Sequence, residues 1–268
     1  MQVDWEEADC DFCGGSDGAL YLESDVPSWY DGRPLRLVEC STCKMVRATP
    51  RPVAEQLYED FMTDAPFAKT VTDRKRARPD VDAKHALIVE RAMEHRPEAT
   101  SLYDFGCGAG TLLEAAHDKG LRVGGNDLNW YSTQQLGERG FAVEQCFNHQ
   151  VDTAVKYDIV TALDIIEHSY TPFGDLKIMY EKLKPGGILY AKTLYLDSPT
   201  HIDEGEAWHL YGAGHFSYFT TPVLVAMIEA AGFEIVKVRE YTLVTIIARK
   251  PETRAIRMAK RVRRIFGR

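Results

Sequence analysis

No run of about eighteen apolar residues occurs in this 268-residue chain, so no membrane-spanning helix is expected. The acidic start, Met1 to Glu7, lacks the basic and apolar regions of a secretory signal, which reads as a cytoplasmic protein. Lysine and arginine are absent from the first 32 residues, and acidic residues are absent from the last fifteen. A net charge of -8 argues against a general nucleic-acid binder, although a basic face could still form locally. Cysteine is scarce, six in all, and four of the six fall into two C-x-x-C pairs. The length suffices for one α/β domain and a small appendage.

The richest stretch is Leu102-Tyr103-Asp104-Phe105-Gly106-Cys107-Gly108-Ala109-Gly110, followed by Thr111-Leu112-Leu113. It reads as a short buried strand, a glycine-rich turn and a helix start. Gly106, Gly108 and Gly110 allow a sharp bend and a close ligand approach. The helix start leaves unpaired N–H groups at the strand's carboxyl end, where open α/β sheets bind ligands. Asp104 would repel a pyrophosphate but could hold the ammonium of an amino-acid-like ligand, which favours S-adenosylmethionine over a dinucleotide. Leu121 to Asp127 reads as the next strand, ending in an acid placed for ribose hydroxyls. Tyr157 to Asp164 reads as a buried fourth strand, and Leu183-Lys184-Pro185-Gly186-Gly187 as the turn into a fifth.

Taken together these segments resemble the class I S-adenosylmethionine-dependent methyltransferases, across residues 100 to 250. The resemblance implies an α/β, Rossmann-like sheet. It also implies a cofactor site at Asp104, Gly106, Gly108, Gly110, Asp127, Leu128, Phe147 and Asp164.

Cys10, Cys13, Cys40 and Cys43 form two knuckles separated by 26 residues. Such spacing places four sulfurs about 2.3 Å from a tetrahedral zinc ion, with no position left open for chemistry. A structural zinc ribbon over residues 1–50 is therefore expected. Trp29, Tyr30, Lys44 and Arg47 are the few basic or aromatic residues near its knuckles. Cys107 and Cys146 read as packing residues. Residues 51–98 read as a helical connector or lid, with Leu57, Tyr58 and Phe61 on one helical face. Thr63 to Pro79 reads as polar, basic and mobile, and a second helix is expected from Val81 to Glu94. The methyltransferase domain then covers 99–250. A basic amphipathic tail, 251–268, suits an anionic membrane surface, a nucleic-acid backbone or plain solvent.

Methyl transfer to a hydroxyl or a carbon acid needs an aligned nucleophile and removal of a proton. Asp164, Glu167 and His168 follow the fourth strand, and spacing of three and four residues gathers them on one side of a helical turn. Asp164 could equally cap that turn with Glu167 as its partner. His168 has no such structural role. The long segment from Thr200 to Thr220 carries aromatics and histidines suited to a substrate wall. The His215-Phe-Ser-Tyr-Phe-Thr run resembles a broad bacterial methyltransferase group. Its ribbon-bearing members include deoxysugar C-methyltransferases, whose Glu-His pair matches Glu167-His168; their nearby tyrosine is Ile165 here.

The expected activity is methyl transfer to a polar small molecule, a nucleotide-linked sugar or related metabolite. His168 would accept the proton, Glu167 would orient it, and His215 would assist. Ubiquinone-pathway and small-RNA 2′-O-methyltransferases share the acid–Glu-His pattern. For them the resemblance implies a divalent metal at Asp164, Glu167, His168 and His215, and an RNA 3′ end as the alternative substrate. A non-catalytic zinc-ribbon interaction module is the third reading.

Overall fold

The computed structural model describes residues 4–27, 34–57, 59, 65–212 and 214–252. The N-terminal part holds β1 (Trp5–Glu6), β2 (Gly18–Pro27), β3 (Pro34–Cys40), β4 (Val46–Ala48) and β5 (Arg51–Pro52). Helices α1 (Ala54–Leu57), α2 (Ala65–Arg76) and α3 (Pro79–Glu94) lead into the main layer. There β6 (Ser101–Phe105), α4 (Thr111–Asp118), β7 (Arg122–Asp127), α5 (Trp130–Glu138) and β8 (Ala142–Gln145) form the first half. The second half is β9 (Tyr157–Leu163), α6 (Pro172–Lys182) and β10 (Leu183–Thr193). After α7 (Pro199–Glu204) and β11 (Ser217–Tyr218) come α8 (Thr221–Ala230), β12 (Glu234–Glu240) and β13 (Val244–Arg249).

The seven-stranded sheet has the order β12-β13-β10-β9-β6-β7-β8. Pairing is parallel from β8 through β10 and antiparallel where β13 meets β10 and β12. All five residues of β6 and six of seven in β9 are buried, as expected for parallel strands covered on both faces. The order of the strands reverses between β6 and β9, which run parallel, so their carboxyl ends open a crevice. The Rossmann-like α/β architecture expected from the sequence is present.

The polar stretch expected to be mobile forms α2. Its contacts are hydrogen bonds rather than an apolar stripe, so periodicity did not disclose it. Thr72 and Ser132 share a 2.6 Å hydroxyl contact, and Asn129 Nδ2 donates to the Ala68 carbonyl at 3.0 Å. Helix α3 begins at Pro79, where a missing N–H costs nothing. It buries Ile88, Val89 and Ala92 and leaves Leu87 exposed. Tyr58, Phe61, Trp29, Tyr30 and the basic tail from 253 onward lie outside the described residues.

Strands β2, β3 and β4 form an antiparallel meander, and β11 joins it through Ser217–Arg47 and Tyr218–Val46 pairing. The aromatics of the 200–220 segment are buried here. Trp208, Tyr211, Phe216 and Tyr218 pack against Leu22 and Leu37. They form a core between the two parts of the chain rather than a substrate wall, because their apolar area has a partner in the meander.

Candidate active site

The cysteines meet as their spacing predicts. All four sulfurs lie within 4.8 Å of one another, with Cys10–Cys43 and Cys13–Cys40 each at 3.4 Å. A tetrahedral zinc–thiolate site needs sulfur separations of about 3.8 Å, so the set fits after small adjustment. The two knuckles also repeat one backbone geometry. The residue after the second cysteine is left-handed in both, at Gly14 (φ 73°) and Lys44 (φ 64°). Burial pushes the Cys40 thiol up, but N–H groups of Cys43 and Thr42 outweigh it and bring it to about 6.

A cleft of about 440 Å³ opens at the carboxyl ends of β6, β7, β8 and β9, a size ordinary for small-molecule sites. Of the residues expected to hold the cofactor, Gly106, Asp127, Leu128, Phe147 and Asp164 line it. Asp127 also braces its walls: Oδ2 accepts from Gly108 N at 2.7 Å and Oδ1 from Asn129 N at 2.8 Å. Asp104 is not in the wall. Its buried carboxyl sits behind the turn, where Thr161 Oγ1 donates to it at 2.5 Å. Burial lifts its pKa to about 7, against that hydrogen bond. Gly110 starts α4 at φ 82°, and a Cβ there would meet Leu136 at 2.3 Å, so packing accounts for it. A Cβ on Gly106 would strike Ile165 at 2.0 Å. Cys107 is buried, and Cys146 borders the cleft.

After β9 the chain makes one tight turn, Ile166–His168, rather than a full helical start. Asp164 has a left-handed backbone (φ 54°) and its carboxylate pairs with Lys192 at 2.9 Å. It is not one of the donors that lie within 4.8 Å of one another. Glu167, His168 and His215 do come together, each offering a ligand atom within 4.8 Å of the others. Thr193 Oγ1 donates to Glu167 at 2.6 Å, and burial with nearby Asp164 raises its carboxyl to about 7. His168 Nδ1 donates to the Gly214 carbonyl at 2.9 Å, and His215 Nδ1 to the Leu210 carbonyl at 2.7 Å. The Gly214 carbonyl therefore fixes the tautomer of the His168 ring. Both imidazoles have lowered pKa values, chiefly because burial disfavours their cations. Each neutral ring then keeps Nε2 as its acceptor nitrogen.

The N-terminal part reaches this site directly. Asp11 Oδ2 accepts from Phe173 N at 2.6 Å and Gly174 N at 3.2 Å, capping α6, while Phe12 meets the Phe173 ring at 5.2 Å. Arg51 donates to the Tyr170 carbonyl at 2.9 Å, lies 4.3 Å over its ring and pairs with Glu6. Glu6, Arg51 and Glu55 thereby line the cleft, as does Lys75 of α2. Sequence reasoning missed these four residues. Only the lack of an apolar stripe in α2 hinted that its side chains serve another end.

The sequence model of a family described as "Methyltransferase domain" matches residues 76–238. A ubiquinone biosynthesis O-methyltransferase from Methylobacterium nodulans is 28% identical over 153 residues, covering 52% of this chain and 61% of that protein. Another, from Idiomarina loihiensis, is 32% identical over 102 residues, covering 34% of this chain and 41% of the relative. The chain thus spans about half the length of these curated relatives. A similar structure is the 1,6-didemethyltoxoflavin-N1-methyltransferase of Burkholderia thailandensis, which holds S-adenosylhomocysteine. Its TM-score is 0.55 at 19% identity, covering 78% of this chain and 96% of that one.

Proposed function

The chain belongs to the class I S-adenosylmethionine-dependent methyltransferases, and from that premise we propose an acceptor and a way of activating it. The acceptor is a polar small molecule, a nucleotide-linked sugar or a related metabolite, methylated at a hydroxyl or an acidic carbon. One observation carries the reading: His168 lines the cleft as a neutral imidazole beside buried Glu167 and His215. Its hydrogen bond to Gly214 presets the tautomer in which Nε2 accepts the acceptor's proton. The polar mouth, with Glu6, Arg51, Glu55 and Thr171, suits a hydroxyl-rich molecule. The Tyr170 ring, covered by Arg51, adds a flat apolar wall. In this reading the four cysteines hold a structural zinc, and their thiolates need a reducing compartment such as the cytoplasm.

The test is transfer of labelled methyl from S-adenosylmethionine to a panel of nucleotide sugars. His168→Asn should lower turnover roughly 10²- to 10⁴-fold while calorimetric affinity for S-adenosylhomocysteine stays within about twofold. Turnover near the wild-type level would overturn the role given to His168.

A second reading is favoured by the donor set itself. Two neutral imidazoles and a buried carboxylate within 4.8 Å match the ligand types of a divalent cation. When bound, such a cation polarises a substrate hydroxyl and eases its ionisation. Under this reading Glu167, His168 and His215 hold the ion, and the activity is O-methylation. Equilibrium dialysis with Mn²⁺ separates the two: one ion bound by the wild type and none by Glu167→Gln supports the metal, and no binding excludes it.

A further inference from the structure

Among the described residues, Lys75, in the last turn of α2, is a cation of the cleft with no carboxylate partner. Three nearby basic groups are paired: Lys69 with Asp73, Arg76 with Glu114, and Arg51 with Glu6. Lys75 makes no ion pair among the described residues, yet it lines the cleft. Its ammonium lies above the glycine turn, where a Cβ built on Gly108 would come within 3.2 Å of Nζ and 3.9 Å of Asp127 Oδ2. The end of α2 is fixed there, because Arg76 Nη2 donates to the Ala109 carbonyl of the same turn at 3.1 Å. The charge of Lys75 is felt at Asp104 behind the turn and at His168 across the cleft.

The methyl donor has three charged groups at its amino-acid end: an ammonium, a sulfonium and a carboxylate. The acids Asp127 and Asp164, which line the cleft, suit the first two, and neither suits the third. We propose that Lys75 holds the cofactor's carboxylate, its ammonium reaching down over Gly108 from α2. Arg51 cannot serve, since its guanidinium is committed to Glu6 and to the Tyr170 carbonyl. A lysine fits the task physically, being a compact charge on a flexible stem that can follow the ligand. Gly108 gains a second reason for its identity, because a side chain there would occupy the space between Lys75 and Asp127. Before the cofactor arrives, the same ammonium offsets the carboxylates beneath it; on binding it exchanges them for the ligand's.

Calorimetry on the full chain with two ligands tests this. S-adenosylmethionine carries the carboxylate, and decarboxylated S-adenosylmethionine lacks it while keeping both positive groups. Lys75→Met should weaken S-adenosylmethionine roughly ten- to hundredfold, the loss of one charge-assisted hydrogen bond. The decarboxylated ligand should change by less than about twofold, and Lys75→Arg should restore most of the affinity. Equal weakening of both ligands, or no weakening of either, overturns the assignment. If the wild type binds neither ligand, the methyltransferase reading fails along with it. Lys75 is exposed, so the thermal transition should not move, and a large shift would mark it as structural and overturn the proposal.

Discussion

At Asp104 two effects compete, and their balance is measurable. Burial favours the neutral acid, the Thr161 hydroxyl favours the carboxylate, and burial wins, with the pKa near 7. Asp127 adds to the rise, and Lys75 opposes it. The sign follows from linkage: a carboxyl raised in the folded state binds more protons than its unfolded counterpart. Stability is then full below the unfolded value near 4 and falls as pH rises toward 7. Asp104→Asn cannot ionise, so it should gain stability relative to the wild type by about 2–3 kcal/mol between pH 5 and pH 8. Urea unfolding at both pH values checks this, and a constant difference would refute it. The acid was legible in the sequence; its place behind the turn was not, because strand alternation does not reveal which face the cleft occupies.

Elements with an apolar signature were readable, and those held by polar contacts were not. β6, its turn and α4 announce themselves by a buried run, three glycines and Leu112-Leu113. Helix α2 shows almost nothing of the kind, since its interface is Thr72 against Ser132 and Asn129 against a carbonyl. Strand β11 is two residues long and has no partner near it in sequence. Its pairing with β4 brings His215 beside Glu167, and Phe216 N donates to the Glu167 carbonyl at 2.8 Å. Such long-range pairing leaves no local trace. The α2 contact can be tested by Thr72→Val, which keeps the shape and removes the hydroxyl. Loss of a buried hydrogen bond should cost about 1–2 kcal/mol, and S-adenosylhomocysteine affinity should fall as Lys75 and Arg76 lose their support. Unchanged affinity with reduced stability would show that α2 does not position the cofactor site.

At the scale of the whole molecule, the cysteine module is built into the catalytic half. It shares a sheet with β11, caps α6 through Asp11 and braces the Tyr170 carbonyl through Arg51. Large side chains such as Trp208, Tyr211, Phe216 and Tyr218 are buried against it, each worth on the order of 2 kcal/mol. Losing that interface would consume most of the net stability of an ordinary domain, about 5–15 kcal/mol. A structural zinc contributes on the order of 10 kcal/mol to a small module with little core of its own. With zinc held by the four cysteines as proposed, removing it should unfold the meander, and the meander should take β11 and His215 with it. Chelation at neutral pH, or Cys40→Ser, should abolish methyl transfer although none of the four paired cysteines lines the cleft. Trp208 fluorescence should shift to that of a solvated indole in the same concentration range of chelator, and added Zn²⁺ should restore both signals together. The cofactor half provides the contrast: β6, β7 and their turn have their own core around Leu102, Leu112 and Leu136. S-adenosylhomocysteine should still bind the chelated protein, weakened but measurable. Activity that survives chelation with a buried Trp208 would show that the two halves are coupled by packing alone.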